Sequence, residues 1–128
     1  MTAKYQSDKP IYMQIIDRLS KEIVRGVLKP GGKLPSVREM AIQSGVNPNT
    51  IQRTYSELER VEIVETRRGQ GTFVTENEGI LMQLKKGMET RVVESFIQSM
   101  REIGASEKEM VESVVKFLAK GEKVHDKI

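Results

Sequence analysis

At 128 residues the chain holds one ordinary domain or two small ones, with room for a real core but not for a large catalytic cleft. It has no cysteine and a single histidine, His125, which excludes a disulfide framework, a thiolate metal site and Cys nucleophile chemistry. The formal charge of +3 is mild, but residues 1–75 carry 12 Lys and Arg against 8 Asp and Glu, while residues 76–128 carry 9 against 10, so the basic excess lies N-terminally, as an anionic partner there requires.

No run approaches the ~18 apolar residues that span a bilayer. The Met1–Asp8 start lacks the apolar stretch of a signal peptide. The expected location is therefore the cytoplasm, with no membrane partner, and the lack of cysteine fits a reducing compartment. His125, three residues from the end, reads as a solvated tail side chain and not a catalytic one.

Pro10 opens the first periodic segment, where its missing N–H is not needed. Tyr12, Ile15, Ile16, Leu19 and Ile23 share one helical face, and Gln14, Asp17, Arg18, Lys21, Glu22 and Arg25 fill the other. With Gly26 as a stop, the spacing predicts a helix over Pro10–Arg25. Leu28–Pro35 contains Pro30-Gly31-Gly32 and reads as turn. Ser36 and Glu39 have the spacing of a capping box, in which each side chain accepts from the other's backbone N–H. Val37, Met40 and Ala41 give the short second helix an apolar side, and Ser44-Gly45 ends it.

Asn47 as N-cap and Pro48 in the first turn restart a helix at once. Ile51, Thr54, Tyr55, Leu58 and Val61 form its apolar face; Asn49, Gln52, Arg53, Ser56 and Arg60 form the polar one. Tyr12 and Tyr55, on apolar stripes, read as core with a polar tip. Two short helices joined by a tight glycine-containing turn are a helix-turn-helix signature. Ile63–Arg68 and Thr72–Val74 are β-prone runs around Gly69-Gln70-Gly71, which predicts a hairpin with Arg67 and Arg68 at its tip.

Glu76–Gly79 is a polar joint. Beyond it Leu81, Leu84, Met88, Val92, Phe96, Met100 and Ile103 hold a helical stripe that stops at Gly104. Ser106–Glu109 repeats the capping box, Met110, Val111, Val114, Val115 and Leu118 make another apolar face, and Gly121 closes it. Two helices, Ile80–Ile103 and Glu107–Lys120, enclose little core and should pack on a second copy or on the first domain.

The predicted fold is mainly α with a small β-hairpin: a winged helix-turn-helix domain over residues 9–75 and a C-terminal two-helix dimerisation region over residues 79–121. Its chemistry suits duplex DNA. The N-terminal part of a recognition helix meets base edges in the major groove. Asn and Gln can pair with adenine there, and Arg can fork onto guanine. Asn49, Gln52 and Arg53 occupy that part; Ser56 and Arg60, further along, suit phosphate. A plainly solvated helix face would look the same. The hairpin tip is equally two-sided: its arginines could enter the minor groove or grip phosphate, or form an ordinary charged turn whose glycines serve backbone angles.

Three ordered segments carry a family resemblance: Leu34-Pro35-Ser36-Val37-Arg38-Glu39-Met40-Ala41, Gly45-Val46-Asn47-Pro48-Asn49-Thr50-Ile51-Gln52-Arg53-Thr54-Tyr55-Ser56-Glu57-Leu58-Glu59 and Arg68-Gly69-Gln70-Gly71-Thr72-Phe73-Val74. Together, over about residues 9–75, they resemble the DNA-binding domain of the GntR family of bacterial transcription regulators. The Pro10-Ile11-Tyr12 opening and the Val46–Thr50 turn are most similar to its YtrA-type branch, which has a short two-helix C-terminal region. The resemblance implies a homodimer on a palindromic double-stranded operator, acting as a repressor. It implies DNA contacts at Arg38, at Asn47, Asn49, Thr50, Gln52 and Arg53, and at Arg68 and Gly69. Leu84, Met88, Val92, Phe96, Met100, Val114 and Leu118 are the expected dimerisation residues. The family places a glycine just after the third helix, where this chain has Val61-Glu62-Ile63. A left-handed Glu62 there would cost about 1 kcal/mol.

No catalytic residue, metal or cofactor is expected: Ser/His/Asp arrangements and phosphate loops are missing, and Gly69-Gln70-Gly71 is too short to bind a nucleotide. A small-molecule effector stays open, because Phe96, Met100 and Met110 could line a pocket as well as a dimer core. The rival classes are a winged-helix adaptor for proteins, a non-specific architectural DNA binder, and an enzyme.

Overall fold

The computed structural model describes residues 8–125, with side chains described through residue 121; the side chain of His125 lies outside the described residues. Seven elements follow in order: α1 (Ile11–Val24), α2 (Val37–Ser44), α3 (Pro48–Arg60), β1 (Val64–Arg67), β2 (Gly71–Val74), α4 (Glu78–Glu102) and α5 (Glu107–His125). The chain divides into two compact units between Lys86 and Gly87, inside α4. No helix among the described residues is long and apolar enough to cross a membrane.

The first unit is built on the apolar positions of the sequence pattern. Ile15, Leu19 and Ile23 of α1, Met40 and Ala41 of α2, and Ile51, Tyr55 and Leu58 of α3 are buried together with Leu34, Ile63, Val64 and Val74. Thr54 is fully buried in the same face, and its hydroxyl donates to the Thr50 carbonyl at 2.9 Å, so the polar group is satisfied within its own helix. The start of α4 joins this unit: Ile80, Leu81 and Leu84 pack against the core.

The local signals act where they were expected. Glu39 N–H donates to Ser36 Oγ at 3.1 Å and Ser36 N–H to Glu39 Oε1 at 2.9 Å, closing the capping box on α2. Asn49 N–H donates to Asn47 Oδ1 at 2.7 Å at the start of α3. Gly26, Gly45 and Gly104 end their helices with positive φ. Glu62 takes φ 66°, and among the described residues it is the sole non-glycine residue on that side of the map. It stands in the left-handed position that a glycine would fill without strain.

Three boundaries differ from the sequence pattern. The Lys29–Pro35 segment is not only a turn: Gly31 N–H donates to Val74 O, Val74 N–H to Gly32 O and Leu34 N–H to Thr72 O, all at 2.8–2.9 Å, so it edges the hairpin on the β2 side. Gly71 takes φ 123°, a backbone conformation that explains glycine there. Next, α4 begins at Glu78, because Asn77 Oδ1 accepts from Ile80 N–H at 3.1 Å and caps the helix inside the supposed joint. Finally, Gly121 does not close α5, which runs to His125. Gly121 is absent from the glycines with positive φ, and a glycine stops a helix only when it turns left-handed.

The second unit is the remainder of α4 with α5. Met110 is buried, and Phe96, Ile97 and Met100 are half-buried. Around them much apolar surface is left in solvent: Val92 is 69% exposed, Phe117 70%, Leu118 68% and Ile103 77%.

Candidate nucleic-acid interface

The polar face of α3 stands in solvent as its spacing requires. Asn47, Asn49, Gln52 and Arg53 are exposed and Thr50 is half-buried. The Asn47 carbonyl oxygen is committed to its cap, which leaves the amide NH2 as the end that can face a partner. Gln52 Nε2 reaches Ser56 Oγ at 3.4 Å, a long contact that a base edge can displace. Arg60 is bound to Glu57 at 3.0 Å, so the phosphate role suited to its position competes with an intrahelical ion pair.

On α2, Arg38 is exposed and has no ion pair among the described residues. The turn that carries it is tied down from both sides. The buried Tyr55 hydroxyl donates to the Pro35 carbonyl at 2.8 Å, and burial pushes that hydroxyl's pKa up to about 12, so it stays a donor. Arg18 of α1 donates to Met40 Sδ at 3.4 Å and to the fully buried Ser44 Oγ at 3.0 Å, linking α1 to α2. Hydrogen bonds from the Ser36 backbone and hydroxyl hold the Glu39 carboxyl below its ordinary range, so it stays ionised as a cap.

The wing separates its two arginines. Arg67 donates to Glu65 Oε1 at 2.6 Å and lies over the Phe73 ring with Cζ 4.3 Å from the centroid. Arg68 stands exposed at the tip, with no ion pair among the described residues. A Cβ on Gly69 would meet nothing within 4 Å, so glycine is required there by φ 77° and its outer side is open. The wing tip and the start of α2 line one cleft of about 430 Å³, walled by Ser36, Val37, Tyr55, Arg67, Gly69 and Gln70 among others.

One partner of the polar face has no local sequence signal. Arg53 stacks on Tyr12 of α1, with Cζ 3.8 Å from the ring centroid, and its Nη2 donates to the Tyr12 hydroxyl at 3.2 Å. Tyr12 reads as core from its stripe, and nothing within a few residues of it announces Arg53.

The residues expected to pair two copies fall into two groups by exposure. Leu84 is half-buried, packed against the core of the first unit. Met88, Phe96 and Met100 are half-buried, whereas Val92, Val114 and Leu118 are exposed. A cleft of about 570 Å³ within the second unit is lined by Val93, Phe96, Ile97, Met110, Val114 and Val115 among others.

Residues 11–74 match the model of the bacterial regulatory proteins of the gntR family. The chain belongs to the GntR family. It is 54% identical over 121 residues to the uncharacterized HTH-type transcriptional regulator YhcF of Bacillus subtilis (strain 168), covering 94% of this chain and all of that protein. It is 42% identical over 96 residues to the HTH-type transcriptional repressor YtrA of the same organism, covering 70% of this chain and 74% of that protein. A solved GntR family transcriptional regulator from Listeria monocytogenes superposes with a TM-score of 0.82 at 41% identity, over 88% of this chain and 98% of that one. The YtrA-type resemblance thus holds, and the chain is a GntR-family DNA-binding transcription regulator, not an enzyme.

Proposed function

We propose that this GntR-family regulator is a cytoplasmic, homodimeric, sequence-specific repressor. In this reading the winged-helix domain of residues 9–75 takes one half-site of a palindromic operator in duplex DNA. The helices of residues 79–121 pair two copies and set the half-site spacing near a multiple of one helical turn, about 34 Å. Asn49 and Gln52 read base edges; Arg38, Asn47, Thr50, Arg53, Arg68 and Gly69 complete the contact surface. Occupying a promoter then blocks transcription.

The observation that carries the reading is the difference among the arginines. Arg60 and Arg67 are matched to carboxylates, while Arg38 and Arg68 are exposed and have no ion pair among the described residues, on the two elements that flank one cleft. Cations left unmatched in this way suit phosphate oxygens.

A second copy accounts for the C-terminal surface better than an effector does. A small ligand could fill the α4–α5 cleft, whose size suits one. It would not cover Val92, Phe117 and Leu118, which do not line that cleft and are about two-thirds exposed. A signal would then act at this helix pair by changing how it orients the two wings.

Titration of a labelled duplex by fluorescence anisotropy between 50 and 200 mM salt tests the surface. Arg38→Ala and Arg68→Ala should each weaken binding and lower the salt slope by about one. An unchanged slope in both variants refutes this face. Binding by the wild type without preference among sequences would favour the architectural reading, and no DNA binding at all the adaptor.

A further inference from the structure

Arg53 is the member of the polar face that is already engaged. Its guanidinium lies over the Tyr12 ring, with Cζ 3.8 Å from the centroid, and its Nη2 donates to the Tyr12 hydroxyl at 3.2 Å. The helices that carry the two residues pack together in the core through Ile15, Leu19, Ile51 and Tyr55. Tyr12 sits in the first turn of α1, with its carbonyl 3.4 Å from the hydroxyl of the buried Thr54 on Arg53's own helix. The packing of α1 on α3 therefore brings the Tyr12 ring beside Arg53. It also sets a direction: the guanidinium is turned sideways off α3, toward α1.

Direction decides what such a group can touch. A helix in the major groove faces base edges along its outward stripe, near its N-terminus. A side chain that leaves it sideways, toward a neighbouring helix, meets the wall of the groove, and that wall is sugar and phosphate. The stack also blocks one face of the guanidinium and commits an Nη2 hydrogen, leaving N–H groups on its remaining edges. The contact with Tyr12 holds those N–H groups toward the groove wall, where a phosphate oxygen meets them and a guanine edge does not.

We infer that Tyr12 and Arg53 work as one phosphate-gripping pair: Arg53 makes the contact, and Tyr12 is the positioning residue that holds it in place. This rests on the DNA-binding reading and refines it, because it removes Arg53 from the base-reading set. Specificity on α3 then falls to Asn49 and Gln52, and Tyr12 joins the DNA-binding machinery from a position that looks like core.

The test uses the full chain with two duplexes of equal length, one of random sequence and one recovered by selection, each titrated between 50 and 200 mM salt. Arg53→Ala should weaken both by the same factor, about tenfold or more at the lower salt, and reduce the salt slope by about one. Tyr12→Leu keeps the apolar stripe filled but removes the stack, and should weaken both duplexes equally. The double variant should lose clearly less than the product of the two single losses. Tyr12→Phe keeps the ring and removes only the hydroxyl, so a smaller loss of the same kind is expected; it also supplies the coupling measurement should Tyr12→Leu lose helicity by circular dichroism. A loss in Arg53→Ala confined to the selected duplex would make Arg53 a base reader and overturn the inference. So would single losses that multiply in the double variant, or an unchanged salt slope. If the wild type binds neither duplex, the DNA-binding reading itself falls; if it binds and the variants fail these expectations, the clamp alone falls.

Discussion

On the proposed pairing of two copies, replacing Val92 and Leu118 together by glutamate should leave a folded monomer. Val92 is 69% and Leu118 68% exposed in the single chain, so each has most of its side chain still to bury in a partner. Full burial of such a side chain contributes about 1.5–3 kcal/mol, so the outstanding two-thirds amounts to about 1–2 kcal/mol at each position. In a two-fold interface every residue acts twice, so two positions in two copies account for about 4–8 kcal/mol. That moves the dimer dissociation constant by about three to six powers of ten. Glutamate adds the cost of drying a carboxylate, which makes the figure a lower bound. Within the single chain both sites are surface, and glutamate is a better helix former than valine, so helicity should hold. Sedimentation equilibrium across micromolar concentrations reads the assembly, and far-UV circular dichroism checks the fold. A double variant that keeps its helicity and stays dimeric, within tenfold of the wild type, would refute this use of the C-terminal helices.

Three further outcomes follow from the winged-helix domain. Glu62→Gly removes left-handed strain at φ 66° and one carboxylate from a cleft that also holds Glu59, Glu65 and Glu76. Set against glycine's greater unfolded freedom, it should stabilise by about 0.5–1 kcal/mol and raise Tm by several degrees; a lower Tm in calorimetry contradicts this. Ser36→Ala removes the cap of α2 and should cost about 1 kcal/mol in urea unfolding at neutral pH. Because Ser36 and Ser106 hold the Glu39 and Glu109 carboxyls below their ordinary range, the folded pKa lies under the unfolded one. That contribution is complete above the unfolded value and is lost as pH falls through the folded one, so a Glu39→Gln, Glu109→Gln double variant, with no carboxyl to protonate at either cap, should lose less stability on acidification than the wild type. Gln52→Ala should cost ~1–3 kcal/mol on a selected duplex and little on a random one. An equal loss on both would assign Gln52 to phosphate.

What the sequence reveals here is what physics decides within four or five residues. The capping boxes at Ser36–Glu39 and Ser106–Glu109, the Asn47 cap and the left-handed Glu62 all form as the local chemistry demands. The buried faces of α1 and α3 follow from helical spacing in the same way. The features that were missed are settled across longer distances. Gly31–Leu34 becomes a sheet edge only because β2, some forty residues later, offers carbonyls and N–H groups in register. Gly121 carries the stop residue without the stop conformation. Tyr12 and Arg53 meet through helix packing, so the stripe that makes Tyr12 look like core hides its place beside the polar face of α3. The contrast between Arg67 and Arg68 was closer to hand. Glu65 and Arg67 are two apart and share one face of β1, so their pairing follows from strand alternation, while Arg68 falls in the turn.

The most direct measurement is selection of bound sequences from a random duplex pool with the full chain, followed by the stoichiometry of the recovered complex. The account predicts an enriched site with two-fold symmetry, half-site centres separated by one helical turn or a multiple of it, and two chains per duplex. No enrichment, or a single asymmetric site holding one chain, would contradict it.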